Sequence, residues 1–186
     1  MSTFTSTRIL GAEPSAVFAA IRDPARLAKW WGPYGFSNRF DVFEFQPGGK
    51  WVFDMVGPDG RIYPNESVFE SIEADRRVVI RHVCQPLFTL TITLEPAPGG
   101  TSVHWEQVFA DAAVAAAIRH IVEPANEQNL DRLRAEIGEG VVPENERWLH
   151  EPQAATQLQE ALAWTQDNPP TDRKAGAVLE KLRGKG

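Results

Sequence analysis

At 186 residues the chain has room for one well-buried domain and an appendage, and is short for two full domains. A composition that is 42% hydrophobic, 24% charged and 10% aromatic is that of a folded globular protein and excludes global disorder. The formal net charge of -6 opposes a broad electropositive surface, so nucleic acid and acidic membranes are not expected as partners. Cys84 is the only cysteine, which rules out an internal disulfide, and the N-terminus lacks the basic, apolar and small-residue succession of a secretion signal. A cytoplasmic protein is expected. The apolar runs are short and interrupted by charge, so no membrane-inserted segment is expected either.

Residues 3–10, TFTSTRIL, alternate polar and apolar side chains and predict a strand. Pro14, suited to a first helical turn, opens a short helix with Ala16, Val17, Ala20 and Ile21 as its apolar stripe. Asp23-Pro24 punctuates it, and a second short helix carries Leu27, Trp30 and Trp31. From Phe36 to Phe109 the period becomes two, broken at Pro47-Gly48-Gly49, Gly57-Pro58-Asp59-Gly60, Asp75-Arg76 and Pro96 to Gly100. Six strands fit between these breaks, and such tight turns make sequential strands pair antiparallel, as a meander with one wet and one dry face.

After Asp111, a helix cap, a helical pattern runs to about Ile137 with Val114, Ile118, Ile121, Val122, Ala125, Leu130 and Leu133 on one face. Pro124 removes a backbone donor from that helix and predicts a kink or a break near residues 120–123. Beyond Gly138-Glu139-Gly140 the composition shifts, dividing the chain into a main domain, 1–140, and a helical extension and tail, 141–186. Within the extension, Leu149, Leu158, Leu162 and Trp164 could pack on the main domain or on a second copy, the latter making a homodimer; the last dozen residues should fray.

The order strand, two short helices, six strands, long helix resembles the START-like, or SRPBCC, superfamily. Four strings narrow the likeness: KWWGPYGFSN at 29–38, PGGKWVFDMVGPDGRIYPNESVF at 47–69, GGTSVHWEQVF at 99–109 and ANEQNLDRL at 125–133. In that order and spacing they resemble the bacterial family related to the activator of Hsp90 ATPase, over residues 3–137. The resemblance implies an α+β helix-grip fold, in which a curved antiparallel sheet wraps a long C-terminal helix, with two short helices after the first strand. It implies an apolar cavity between sheet and helix, and a superfamily of ligand carriers, cyclases, hydrolases and sequestering proteins. A chaperone of the Hsp90 type enters as a partner on the family name alone, since fold does not fix function.

Trp51, Phe53 and Met55 alternate with the charged Asp54, so this aromatic set faces inward. Arg81 has to reach water, which turns Val78, Ile80, His82 and Cys84 inward by the same logic. Phe88, Leu90, Ile92 and Leu94 form a third inward row, and Val103, Trp105, Gln107 and Phe109 a fourth. Residues 66–72 leave the face open, because Val68 and Phe69 are adjacent and both apolar. The plain reading of these rows is core. A cavity is favoured by the excess of wide, flat side chains, by Met55 as an adaptable gap-filler, and by His82 and Gln107 among apolar neighbours. A dry core would leave those two without partners unless they bond each other or the backbone, at about 1 to 3 kcal/mol for each unsatisfied group. Two adjacent tryptophans on a helix cannot share one face, so either Trp30 or Trp31 lines an entrance, or both anchor the helix–strand junction.

The expected ligand is therefore an apolar or aromatic small molecule, and its expected contacts are Trp30, Trp31, Trp51, Phe53, Met55, Phe69, Ile80, His82, Phe88, Leu90, Trp105, Gln107, Ile118 and Val122. Burying about 300 Å² of it gains roughly 7 kcal/mol before association costs. His82 and Cys84 share a strand face, but no third and fourth metal ligand follows at a recognisable spacing, and His104 faces the other way. The chain has no strand-turn-helix serine elbow and no glycine-rich phosphate loop, so no catalytic residue, metal or cofactor is assigned. The enzymatic alternative is proton transfer by His82, with Glu66 or Glu70 if their strand face turns inward.

Overall fold

In the computed structural model, residues 2–138 are described; the extension at 141–186 and its apolar residues lie outside them. The elements run β1 (Thr3–Leu10), α1 (Pro14–Arg22), α2 (Pro24–Trp30), β2 (Ser37–Phe43), β3 (Lys50–Val56), β4 (Ile62–Glu73), β5 (Arg77–His82), β6 (Phe88–Ala97), β7 (Gly100–Phe109) and α3 (Ala112–Glu136). Proline sits in the first turn of α1 and of α2, where its missing N–H has no partner to lose. Asp23 caps α2 by accepting from the amides of Ala25 and Arg26, and Asp111 caps α3 by accepting from those of Ala113 and Val114.

The seven strands form one antiparallel sheet in the order β1-β7-β6-β5-β4-β3-β2. From β2 to β7 the chain meanders, and α1 with α2 carries it from the β1 edge to the β2 edge. A bulge between Phe69 and Ser71 settles the ambiguous strand: Ser67 and Phe69 face inward before it, and Ile72 packs on the core after it. Val68 points to the other face. The fold is the helix-grip arrangement the sequence predicts.

α3 runs unbroken through Pro124, so the helix does not break there. Val114, Ala115, Ile118 and Ile121 before the proline, and Leu130 and Leu133 after it, are all buried. Packing on both sides holds the helix together across the lost backbone bond. Ion pairs add tethers along the same helix: Arg8 of β1 meets Glu127 at 2.7 Å and also Asp131, and Arg26 of α2 meets Glu136 at 3.0 Å. No helix of the described residues is long and apolar enough to cross a membrane.

The β6–β7 turn closes on a glycine with no room. Gly100 has φ +136°, and a Cβ there would stand 2.0 Å from the carbonyl oxygen of Leu10 and 2.7 Å from Cα of Gly11, both backbone atoms. Gly60 also has positive φ but faces open space. Gly100→Ala is expected to lower unfolding free energy by at least about 2 kcal/mol, and Gly60→Ala by only about 1 kcal/mol, in urea titrations. Equal costs would show that the close approach to Leu10 is not tight.

Candidate functional site

Each inward strand row is packed at one end and hollow at the other. The packed ends bring Trp51, Phe69, Val78, Leu94 and Val103 against α1, α2 and the C-terminal half of α3. The hollow ends, with the N-terminal half of α3 and the segment 31–36, enclose a cavity of about 240 Å³. That volume lies just below the range of about 300 to 1,000 Å³ usual for small-molecule sites.

Eleven of the candidate residues line it: Trp31; Phe53 and Met55 of β3; Ile80 and His82 of β5; Phe88 and Leu90 of β6; Trp105 and Gln107 of β7; Ile118 and Val122 of α3. Three do not. Trp30 is fully buried, and its indole N–H donates to the Ala20 carbonyl at 2.9 Å. Trp51 and Phe69, also fully buried, belong to an aromatic cluster with Phe43 and Phe53 behind the cavity. Alternation placed these two on the correct face, but depth along the strand decides who meets the cavity. Trp31 lines it because it is not helical: it caps α2 in an extended conformation, which frees it from the helical angle to Trp30.

The lining also includes residues that the sequence reading left out. Tyr63, Asn65 and Ser67 follow from Phe69 by alternation once that face is fixed, and Asn126 and Asn129 lie one and two turns on from Val122. Among the described residues the lining contains no Asp, Glu, Lys or Arg. Glu70 faces the other side of the sheet, where it pairs with Arg81 at 3.7 Å, and Glu66 shares its strand parity, so neither carboxylate joins His82.

A dry wall leaves His82 and Gln107 unpartnered unless they bond each other or the backbone; His82 meets backbone and side-chain groups, and Gln107 is paired at one end, by Asn126. His82 Nδ1 lies 2.8 Å from the Pro86 carbonyl, while Nε2 lies 3.1 Å from Asn65 Oδ1 and 3.4 Å from the Cys84 thiol. Burial lowers the imidazole pKa to about 4, so the ring is neutral at pH 7. A neutral ring has one N–H, which donates either from Nδ1 to the Pro86 carbonyl or from Nε2 to Asn65 Oδ1; in the first case Nε2 accepts from the thiol. The same burial pushes the Cys84 thiol up, away from the thiolate. Gln107 Oε1 accepts from the Asn126 amide at 3.0 Å. Protein groups therefore meet both ring nitrogens of His82 but only the oxygen of the Gln107 amide.

A clamp not visible in the sequence fixes the wall at 31–36. Arg132 of α3 donates to five backbone carbonyls, those of Lys29, Trp31, Gly32, Pro33 and Phe36, at 2.5 to 3.2 Å. Asn129 accepts from the Gly32 amide at 2.6 Å, and Gln128 from the Tyr34 amide at 2.8 Å. Burial holds the guanidinium down to about 10, still a cation at neutral pH, and carbonyl dipoles take the place of lost water.

Arg132→Met leaves those carbonyls without their donor. Its expected cost is about 3 kcal/mol in denaturant titrations, with faster hydrogen exchange at the Gly32 and Tyr34 amides; unchanged exchange there would rule out the clamp. For His82 the folded pKa lies below the unfolded 6.5, so the unfolded state binds more protons between about 6.5 and 4 and stability falls as pH is lowered through that window. The melting-temperature gap between wild type and His82→Gln should narrow from pH 7 to pH 4. A constant gap would show that His82 does not titrate with a depressed pKa.

A family model for "Activator of Hsp90 ATPase homolog 1-like protein" matches residues 11–138. No curated protein matches the chain. Among solved structures, a protein from Arthrobacter aurescens is 23% identical with a TM-score of 0.70, covering 78% of this chain and 91% of that one. A protein from Chromobacterium violaceum is 24% identical with a TM-score of 0.66, covering 73% and 96%. The AHSA1 protein from Silicibacter pomeroyi is 22% identical with a TM-score of 0.60, again covering 73% and 96%. These likenesses carry the fold, whereas the family match covers β2 to β7 and the three helices: the chain belongs to the Activator of Hsp90 ATPase homolog 1-like family.

Proposed function

We propose that this chain binds a small apolar or aromatic molecule in the cavity between the concave sheet face and the N-terminal half of α3. The observation that carries the proposal is a cavity of about 240 Å³ whose walls are aromatic and aliphatic side chains with a few neutral polar groups. Such walls reward burial of apolar surface and offer nothing to a charged ligand. Proton transfer by His82 has less support, because both ring nitrogens are engaged by protein and, among the described residues, no carboxylate shares the lining.

A chaperone-linked role, which the family description suggests, also has less support among the described residues. The exposed large hydrophobics are Ile9, Ile62 and Val108. Ile9 lies opposite Ser102, and Val108 opposite Thr3. These two are therefore separated by about 20 Å along the β1–β7 pair and do not form a patch.

The uncharged fluorophore N-phenyl-1-naphthylamine should bind, quench tryptophan emission and raise the melting temperature. At a hundredfold excess over its Kd, the stabilisation would be about 2.7 kcal/mol. Val122→Trp, which fills the cavity from α3, should abolish binding while the fold persists by circular dichroism. Absence of any thermal shift with wild type at the solubility limit of the fluorophore would remove the proposal.

A further inference from the structure

Gln107 and Asn126 face each other across the cavity margin, one on β7 and one on α3, and are 7% and 5% exposed. One hydrogen bond joins them, from Asn126 Nδ2 to Gln107 Oε1. Among the described residues the other ends, Gln107 Nε2 and Asn126 Oδ1, have no hydrogen-bond partner, and neither is among the fully enclosed partnerless atoms, which are Asn38 Oδ1, Trp51 Nε1 and Trp105 Nε1. The two free ends therefore keep some surface, and for residues this buried that line the cavity, the surface is the cavity's. Exchanging oxygen and nitrogen in both amides gives the same outcome: one donor and one acceptor remain.

We infer that the cavity selects uncharged ligands whose apolar body carries a donor and an acceptor side by side, the edge of a lactam or secondary amide, read by Gln107 and Asn126 together. This inference rests on the cavity being a ligand site. A hydrocarbon would leave both amide ends desolvated and unpaired, and a ligand with an acceptor alone would satisfy only the donor. A carboxylate would enter a lining without a cation, while Arg132 directs its N–H groups at backbone carbonyls of the 29–36 segment. Ser67, another buried polar residue of the lining, is on β4, three strands from β7, too far to join the same polar edge.

Calorimetry with four bicyclic compounds tests this: quinolin-2(1H)-one, 1-methylquinolin-2-one, 2-methylnaphthalene and 2-naphthoate. The two quinolones differ by one N–H, and wild type should bind the lactam about tenfold tighter, the change that one neutral hydrogen bond carries. The double variant Gln107→Leu with Asn126→Leu should lose that preference and bind 2-methylnaphthalene at least as well as wild type does. In wild type itself, the side-chain amide resonances of Gln107 and Asn126 should shift with the lactam, a readout that stands even if the double variant does not fold. Equal affinity for the two quinolones, a preference that survives in a folded double variant, or tighter binding of 2-naphthoate than of the lactam would overturn the inference. If 2-methylnaphthalene binds wild type in any of those cases, the cavity reading stands; if none of the four compounds binds, both fall.

Discussion

The grip between the C-terminal half of α3 and the 29–36 segment sets where the helix lies, and the cavity is its consequence. Arg132, Asn129 and Gln128 satisfy backbone groups at the end of α2 and in the non-helical stretch that links it to β2. Leu130 and Leu133, both fully buried, add an apolar anchor at the same level. With that end pinned, the N-terminal half of α3 stands over the ends of β5, β6 and β7, where inward side chains do not fill the space beneath it.

A sheet alternates in one dimension and grades in another. Alternation decides which side chains point inward; position along the strand decides whether an inward side chain meets a packed layer or a void. Trp51 and Met55 share a face of β3, yet the first is buried among rings and the second reaches the cavity. Leu94 and Phe88 repeat this on β6, and Val103 and Gln107 on β7. Two rows of helix, one at each end of the same concave surface, produce a solid core and a hollow site without a second domain.

The polar groups of the hollow end are neutral and mostly paired within the protein. His82 shows how: burial keeps the ring uncharged, and Pro86 and Cys84 meet its two nitrogens. A fully charged group at that depth would need a counter-ion or would give up its charge. What remains for a ligand is apolar area together with the unpaired ends of the Gln107 and Asn126 amides.

Period-two alternation, turn residues, Pro14, the Asp23-Pro24 break and the Asp111 cap made the seven strands, the two short helices and the long one legible from residue types alone, because each is a local preference written within a few neighbours. The inward rows of β3, β5, β6 and β7 were equally legible, since a charged residue such as Asp54 or Arg81 can take only the wet face. Depth along each strand was not, so Trp51 and Phe69 read like Phe53, and Trp30 like Trp31. The bulge that orients Ser67 and Asn65, the continuity of α3 through Pro124, and the carbonyl cage around Arg132 all depend on contacts between residues far apart in the chain. Local propensity carries no record of such contacts, so tertiary packing alone decided them.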